Sequence, residues 1–196
     1  MIRRAGWLVL AVALGGCAVA PVAPPSVPPD PELLQQWTAS GRMALAAHGE
    51  GGSGSFTWEQ RSAGTTLSLR GPLGAGAMQV TTDGQTLAVT DAEGRHLDND
   101  QAQGLLRQRL GMDLPLAELR YWMLGVAAPG SPASVADAAR APRRVIEQSG
   151  WRIDYDTFQS ASGLSLPQRF SATQGDVRLK VVVDDWVLGV APGQGP

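Results

Sequence analysis

The chain has 196 residues, of which 43% are hydrophobic and 17% are charged, and its formal net charge at pH 7 is −2. This balance is typical of a folded protein and provides no basic field for nucleic acid. The single cysteine excludes an internal disulfide and a cysteine-based metal site. The 24 glycines, many in short turn-like clusters, favour many strands over long helices.

The N-terminal segment has the features of an export signal. Arg3 and Arg4 precede a short apolar run that ends in two glycines, and the run is shorter than the roughly 20 residues needed to span a bilayer. Cys17 follows where such a signal is cleaved, and "LGGC" resembles the lipobox of bacterial lipoproteins, whose cysteine is acylated. In such lipoproteins an Asp after the cysteine favours inner-membrane retention, so Ala18 indicates the outer membrane. The alternative is a plain signal peptide that contains a cysteine.

A proline-rich segment comes next, with the sequence "APVAPPSVPPDPE". Such a run favours an extended polyproline II stalk of roughly 35–40 Å, at about 3.1 Å per residue. We therefore predict a signal peptide at 1–16, the lipidated cysteine and its stalk at 17–31, and a single globular domain at 32–196.

The first half of this domain has the alternation of antiparallel strands. "DPE" predicts the start of a short helix that continues to Trp37. The stretches "SGRMALAAHG", "GSFTWEQR", "TTLSLRG" and "AMQVTTDGQTLAVTDAEGR" then alternate apolar and polar residues. Asp83-Gly84 is the predicted turn within the last of these stretches.

The pattern changes in the middle of the chain and then returns to strands. "LDNDQAQGLLRQRLG" and "LPLAELRYWMLG" predict two helices, the second ended by Gly125, and "VAAPGSPASVADAARAP" predicts a long loop. Two hairpins follow, turning near Gly150 and Gly175. The predicted fold is an antiparallel sheet, curled or closed, with helices over one opening.

No residue pattern in the sequence predicts catalysis. His48 and His96 each stand alone in polar, turn-like surroundings that are typical of surface histidines. The sequence has no His-Glu-x-x-His pattern and no P-loop. The carboxylates at 154–156 and 184–185 are interpreted as solvated or structural. We expect no enzyme, no cofactor and no metal.

Two apolar features have more than one interpretation. Trp58, Trp122, Trp151 and Trp186 fall on strands or on the central helix, and they form either an ordinary core or the lining of a cavity for an apolar ligand. In "RGPLGAGA", Leu73 lies at the tip of a glycine-rich loop, where polar residues are usual. It either folds back onto the sheet or contacts a membrane or a partner.

A series of motifs links these features to one family. The stretches "FTWEQ", "LSLRGPLGAGAMQV", "LPLAELRYWMLG", "GWRIDY", "LPQRF" and "LKVVVDDW" follow the lipobox in this order. They resemble the LolB family, the outer-membrane receptors of bacterial lipoprotein sorting, over nearly all of the mature chain. The resemblance implies an incomplete antiparallel barrel of about eleven strands, wrapped over helices around an apolar cavity.

The resemblance also implies a function, partners and sites. Members accept lipoproteins from a soluble periplasmic carrier of similar fold, LolA-like, and place them in the inner leaflet of the outer membrane. We expect a lipid-anchored monomer that faces the periplasm, with Cys17 lipidated and Pro72, Leu73 and Gly74 forming the membrane-insertion loop. The expected contacts of the cargo acyl chains are Trp58, Leu67, Leu69, Met78, Trp151 and Tyr155 in the cavity wall and Leu119, Trp122 and Met123 in its floor or lid.

Two other functions remain open from the residues themselves. A lipoprotein that binds another apolar molecule, such as a fatty acid or a glycolipid, would share the cavity and need no carrier. A structural lipoprotein that supports an outer-membrane assembly would have a filled core.

Overall fold

The structure, a computed structural model, describes residues 30–62, 64–71, 76–110, 115–137 and 143–189, and leaves out the side chains of 109 and 110. The predicted signal, Cys17 and almost all of the predicted stalk lie outside these residues. Pro72, Leu73 and Gly74 also lie outside them.

The described residues form one antiparallel sheet of eleven strands. The strands are β1 (Gln36–Ala47), β2 (Glu50–Arg61), β3 (Gly64–Arg70), β4 (Met78–Thr82), β5 (Leu87–Asp91), β6 (His96–Asp98), β7 (Ala133–Asp137), β8 (Arg144–Gln148), β9 (Trp151–Ala161), β10 (Leu164–Gln174) and β11 (Val177–Leu188).

The sheet consists of two meanders that meet in its centre. Its strand order is β6-β5-β4-β3-β2-β1-β11-β10-β9-β8-β7, so the first strand pairs with the last and the two edges, β6 and β7, do not pair with each other. The sheet is therefore curled but unclosed, which confirms the predicted fold class.

Alternation along each strand determines which face of the sheet is buried. On β2, Phe56, Trp58 and Gln60 are buried, whereas Thr57 and Glu59 between them are more exposed. Because successive side chains point to opposite faces, a two-residue period gives the sheet an apolar inner face and a polar outer face. The turn predicted at Asp83-Gly84 is present, and Gly84 has a φ of +91°.

Two helices accompany the sheet: α1 (Asn99–Leu110), which packs on β5 and β6, and α2 (Leu116–Met123). On α2 the buried residues are Leu119, Trp122 and Met123, whose i, i+3, i+4 spacing places them on one face. Gly125 ends this segment with a φ of +77°, as predicted. Among the described residues, no helix is both long and apolar enough to cross a membrane.

Two sequence-based expectations about elements were wrong. The predicted helix through Trp37 is only a 3₁₀ turn at Pro31–Leu33, and Trp37 is buried in β1. β7 lies inside the predicted long loop; its five residues are all exposed, so the sequence lacks the alternation that marks a strand. Pairing with β8 holds β7 in the sheet.

The two ends of the sheet carry different connections. We call the end where residues 71–77 join β3 to β4 the loop end. The opposite end, where β1 begins and β11 ends, is the stalk end. Gln36 and Gly189 meet there, because the Gly189 N–H donates to the Gln36 carbonyl at 2.9 Å.

Candidate ligand site

All nine residues predicted to contact cargo chains belong to one hydrophobic core. Seven of them are buried: Trp58, Leu67, Leu119, Trp122, Met123, Trp151 and Tyr155. The other two, Leu69 and Met78, are only half-buried. The predicted residues therefore form a packed interior with a more accessible border.

That border is an apolar area on the inner face of the sheet at the loop end, and we call it the open apolar face. Leu69 and Met78 pair with each other at the last rung before the β3–β4 connection. Its members are all half-buried: Met43, Leu45, Leu69, Met78 and Leu179.

Two glycines keep the neighbouring stretch of β2 free of side chains. Gly54 is paired with Met43 and Gly52 with Leu45. A Cβ placed at Gly52 would have nothing within 4 Å. The open apolar face therefore has no side-chain wall along this part of β2.

The α2 helix is fastened to the sheet by buried hydrogen bonds. The Tyr155 hydroxyl donates to the Trp122 carbonyl at 2.7 Å, and the Trp122 indole N–H donates to Gln148 Oε1 at 2.9 Å. The Trp122 and Trp151 rings are 6.0 Å apart, centroid to centroid. Burial raises the pKa of Tyr155 well above its usual value, so its hydroxyl stays protonated and can donate.

Gln148 also holds the segment that follows α2. Its side chain accepts from the Ala128 N–H at 2.9 Å and donates to the carbonyls of Ala128 and Ser131 at 2.7 and 3.0 Å. Gln148 is 3% exposed in the fold, and its bonds to Trp122 and Ala128 are shielded from water. Glu118 adds a further link, since its Oε1 accepts from the hydroxyls of Ser149 and Ser131.

The stalk end of the interior is closed by three tryptophans. The Trp37 ring lies 5.9 Å from Trp58 and 5.3 Å from Trp186. The Trp58 indole N–H donates to Gln60, whose Oε1 also accepts from Thr65. The Trp186 indole N–H donates to the Pro167 carbonyl at 3.1 Å. The three buried rings form a filled end to the core.

A cleft of about 480 Å³, lined by both polar and apolar residues, lies at the stalk end, between the β4–β5 turn and the helices. Thr65, Thr82, Asp83 and Arg120 are among its lining residues. Backbone N–H groups of Thr86 and Gln85 lower the pKa of Asp83 to about 2. The carboxylate is therefore an acceptor within the turn, and it places a charge in the lining of the cleft, which disfavours acyl chains there.

The titratable residues outside the core occupy structural positions. His96 lies on the surface beside Asp98, at 2.8 Å. Asp184 accepts from Arg42 and Asp154 from Arg152, in agreement with the structural role predicted for these carboxylates. Within the described ranges, no group of three or more His, Cys, Asp or Glu residues could hold a metal ion.

The sequence reasoning missed several residues of this region. Met43, Leu45 and Leu179 alternate in phase with the inner face, so their periodicity could have identified them. Gln148 is not marked by periodicity, because a polar residue beside a Ser-Gly turn is typical of an ordinary strand end. Its function as a buried hydrogen-bonding centre depends on distant residues brought together by the fold.

A family model described as "Outer membrane lipoprotein LolB" matches residues 35–186. A protein from Halorhodospira halophila, named outer-membrane lipoprotein LolB, is 32% identical over 197 residues and covers 94% of each chain. A protein of the same name from Marinomonas is 28% identical over 184 residues, which are 92% of this chain and 95% of the relative.

A solved structure provides a separate comparison of the fold. The crystal structure of a DUF1329 family protein from Desulfovibrio piger matches with a TM-score of 0.52 and 7% sequence identity. The match covers 82% of this chain and 88% of that protein. At this level of identity, the likeness extends to the fold alone.

Proposed function

The chain belongs to the LolB family of outer-membrane lipoproteins, and on this premise we propose that it receives lipoproteins and inserts them into the outer membrane. The donor is a soluble, LolA-like periplasmic carrier, and the destination is the inner leaflet. The chain acts by binding rather than by catalysis. Lipid on Cys17 holds it at the membrane that receives the cargo.

The free energy of exposing acyl chains determines how the transfer must occur. A triacylated cysteine carries several dozen methylenes, and each one costs about 0.8 kcal/mol to expose to water. Complete exposure would therefore cost tens of kcal/mol, so free diffusion of cargo is far too slow. The chains must pass directly from the carrier to an apolar surface of the receptor.

The observation that carries the proposal is the open apolar face at the loop end. Its half-buried side chains, among them Leu69 and Met78, adjoin the buried core. An acyl chain laid on this face replaces water without any change in the sheet, and it continues the apolar interior outward. We propose that the first contacts of the cargo form here.

Deeper uptake requires movement of side chains beneath the open apolar face. Trp122 is 1% exposed and Met123 is 5% exposed, and a close-packed interior leaves no volume for several chains. We propose that the cargo chains displace these α2 side chains from Trp151 and Tyr155. All nine predicted residues then contact the acyl chains, and the residues of α2 act as a movable lid.

The insertion loop completes the proposed mechanism. Pro72, Leu73 and Gly74 belong to the connection after β3, a strand that contributes Leu69 to the open apolar face. An apolar tip that enters the membrane interface brings this face to the bilayer, where the chains lower their free energy by leaving the receptor. The loop thus couples release to contact with the membrane.

A transfer experiment tests the proposed function. The processed chain, residues 17–196 with Cys17→Ser, is mixed with carrier loaded with a fluorescent lipoprotein, and the label is followed after separation. We expect the label to move to the chain. A label that stays on the carrier, while the chain still binds a fluorescent fatty acid, would indicate a receptor for a different apolar ligand.

The substitution Leu73→Glu separates acceptance from insertion. We expect the variant to take cargo from the carrier at the normal rate but to deliver at least tenfold less to vesicles, because a carboxylate at the tip opposes entry into the membrane. The matched control is Leu33→Glu, at a leucine that is 76% exposed near the stalk end and that should tolerate the change. Loss of acceptance in Leu73→Glu would show that Leu73 packs structurally.

A further inference from the structure

Exposed cations cluster on the outer face of the sheet near the loop end. We call this cluster the basic strip: Arg42, Arg70, Arg169, Arg178 and Lys180, all exposed. Lys180 is the only lysine in the chain. The strip lies on the face opposite the open apolar face, because these residues alternate with inner residues of the same strands.

The strand register sets the spacing of the strip. Ser55 pairs with both Arg70 and Arg42, while Val182 pairs with both Arg42 and Arg169. The three arginines therefore occupy alternate strands of a single row, roughly 10 Å apart at about 4.8 Å per strand.

Small side chains separate the cations. Lys180 pairs with Ala44 and Ser171 in the next row, and Arg178 lies one row further towards the loop end. Long basic side chains therefore stand among short ones and can extend towards the loop end, so that the strip can contact a surface that the sheet approaches with this end.

Within the described part of the chain, most cations of the strip lack the ion pairs that four arginines elsewhere on the surface make. Arg61, Arg95, Arg144 and Arg152 each contact a carboxylate at 3.0 Å or less. In the strip, Arg42 contacts Asp184 at 3.0 Å.

The other four cations of the strip, Arg70, Arg169, Arg178 and Lys180, have no carboxylate partner among the described residues. The strip thus concentrates uncompensated positive charge on a protein whose net charge is −2.

We infer that the basic strip docks the protein on the anionic phospholipid headgroups of the membrane to which it is anchored. Arginine and lysine bind phosphodiester oxygens through charge-assisted hydrogen bonds. A protein with net negative charge is repelled as a whole by an anionic surface. A local cluster of cations therefore also determines which side of the protein faces the membrane.

The position of the strip favours a membrane over an acidic protein as its partner. Arg70 is the last residue of β3, so the strip begins where the proposed insertion loop leaves the sheet. Headgroup contact by the strip therefore holds the protein with this loop at the bilayer. The inference goes beyond cargo transfer, because headgroup binding requires neither cargo nor carrier.

Sedimentation with vesicles tests the inference without cargo. The processed chain with Cys17→Ser is mixed with neutral phosphatidylcholine vesicles or with vesicles that contain 30 mol% phosphatidylglycerol. We expect clear preference for the anionic vesicles and loss of this preference at high salt. The double variant Arg169→Gln/Lys180→Gln removes two charges of the strip that lie away from the loop. We expect it to bind anionic vesicles at least about tenfold more weakly than the parent chain does.

The matched control is Arg61→Gln/Arg95→Gln, which changes the net charge equally outside the strip and should keep the binding of the parent chain. Equal weakening by both pairs would overturn the inference, as would a parent chain without preference for anionic vesicles. If the strip variant binds vesicles normally but takes cargo from the carrier more slowly, the strip contacts a protein and the lipid assignment is wrong. The two vesicle results do not bear on whether the chain is a receptor.

Discussion

Gln148 shows how one buried side chain can hold two segments of the molecule. Its amide bonds at once to the indole of Trp122 in α2 and to the backbone of Ala128 beyond the helix. A primary amide can donate two hydrogen bonds and accept two, and the contacts described use this capacity in full. The helix over the core is therefore fixed by a residue that lies in the sheet.

Replacement of this amide should be costly. Gln148→Leu leaves the Trp122 N–H and the Ala128 N–H and carbonyl without partners, and each buried unpaired group costs about 1–3 kcal/mol. We expect the free energy of unfolding to fall by about 3 kcal/mol in urea titrations. The control Gln168→Leu alters an exposed glutamine of β10, for which a change within about 0.5 kcal/mol is expected. Equal effects would mean that the amide network contributes little.

Tyr155 makes the stability of the core depend on alkaline pH. Burial raises its pKa above the value of about 10 in an unfolded chain, so the fold favours the neutral hydroxyl. The contribution to stability is thus complete below pH 10 and is lost as the pH rises above it.

The variant Tyr155→Phe tests this dependence. At pH 9 it should be less stable by about 1 kcal/mol, because the bond to the Trp122 carbonyl is gone. Urea titrations should show this difference shrinking between pH 10 and 11.5, since the Tyr155 phenol of the parent chain then ionises in the unfolded state but not in the folded one, which favours unfolding. A constant difference over this range would contradict the assignment.

At the scale of elements, two glycines of β2 have different reasons for their position. A Cβ at Gly54 would lie 2.2 Å from the carbonyl oxygen of Arg70, whereas a Cβ at Gly52 would meet nothing within 4 Å. Gly54 therefore permits the close approach of β2 to the end of β3, at the base of the proposed insertion loop. Gly52 only keeps the open apolar face free of a side chain.

The pair Gly54→Ala and Gly52→Ala tests this distinction. Gly54→Ala must push the end of β3 outward, and we expect the free energy of unfolding to fall by about 2 kcal/mol. Amide hydrogen exchange should also become faster at Arg70. Gly52→Ala should be neutral or slightly stabilising. If both variants behave alike, backbone contact at Gly54 is not limiting.

Elements could be predicted from the sequence wherever side chains alternate. The inner residues of β2 and β11 were evident for this reason, as was the single apolar face of α2 with Leu119 and Trp122. β7 could not be predicted, because all of its residues are exposed and show no alternation. Only backbone pairing with β8 holds this strand in the sheet. Trp37 was misassigned because the helix-start signal before it extends only to the 3₁₀ turn.

The candidate site could be predicted only in part. The apolar positions follow from periodicity, but the extent to which they are covered depends on how α2 and its hydrogen bonds sit over the sheet. Trp122 and Leu69 have equally apolar patterns in the sequence, yet one is buried and the other borders the open apolar face. Such a difference arises from tertiary packing.

At the scale of the whole molecule, the strand ends from which the stalk and the proposed insertion loop continue lie at opposite ends of the sheet. Gln36 pairs with Arg61 at the start of β1, whereas Arg70 pairs with Ser55 at the base of the loop. The stretch of β2 between Arg61 and Ser55 spans about 20 Å. With the loop at the membrane, the stalk must therefore reach back over at least this distance, and the predicted length of roughly 35–40 Å is sufficient.

Shortening of the stalk should slow delivery only in the anchored protein. Deletion of residues 19–28 leaves five residues of the stretch 17–31, about 15 Å, which cannot span the distance of about 20 Å when the loop is directed at the membrane. We expect slower insertion of cargo by the lipidated protein and unchanged acceptance from the carrier. The same deletion combined with Cys17→Ser should have no effect on insertion, since an untethered protein orients freely. Full delivery by the shortened, lipidated protein would contradict this geometry.

The central pairing of β1 with β11 has a consequence for biogenesis. These strands lie at opposite ends of the described chain, yet they form the seam between the two meanders. Until β11 has been synthesised, no other strand joins the two halves, and this long-range closure is an intrinsically slow step. A nascent polypeptide therefore cannot complete its native sheet during most of its synthesis. This delay favours passage through a translocation channel that admits only unfolded chains, so the strand order itself helps to keep the precursor competent for export.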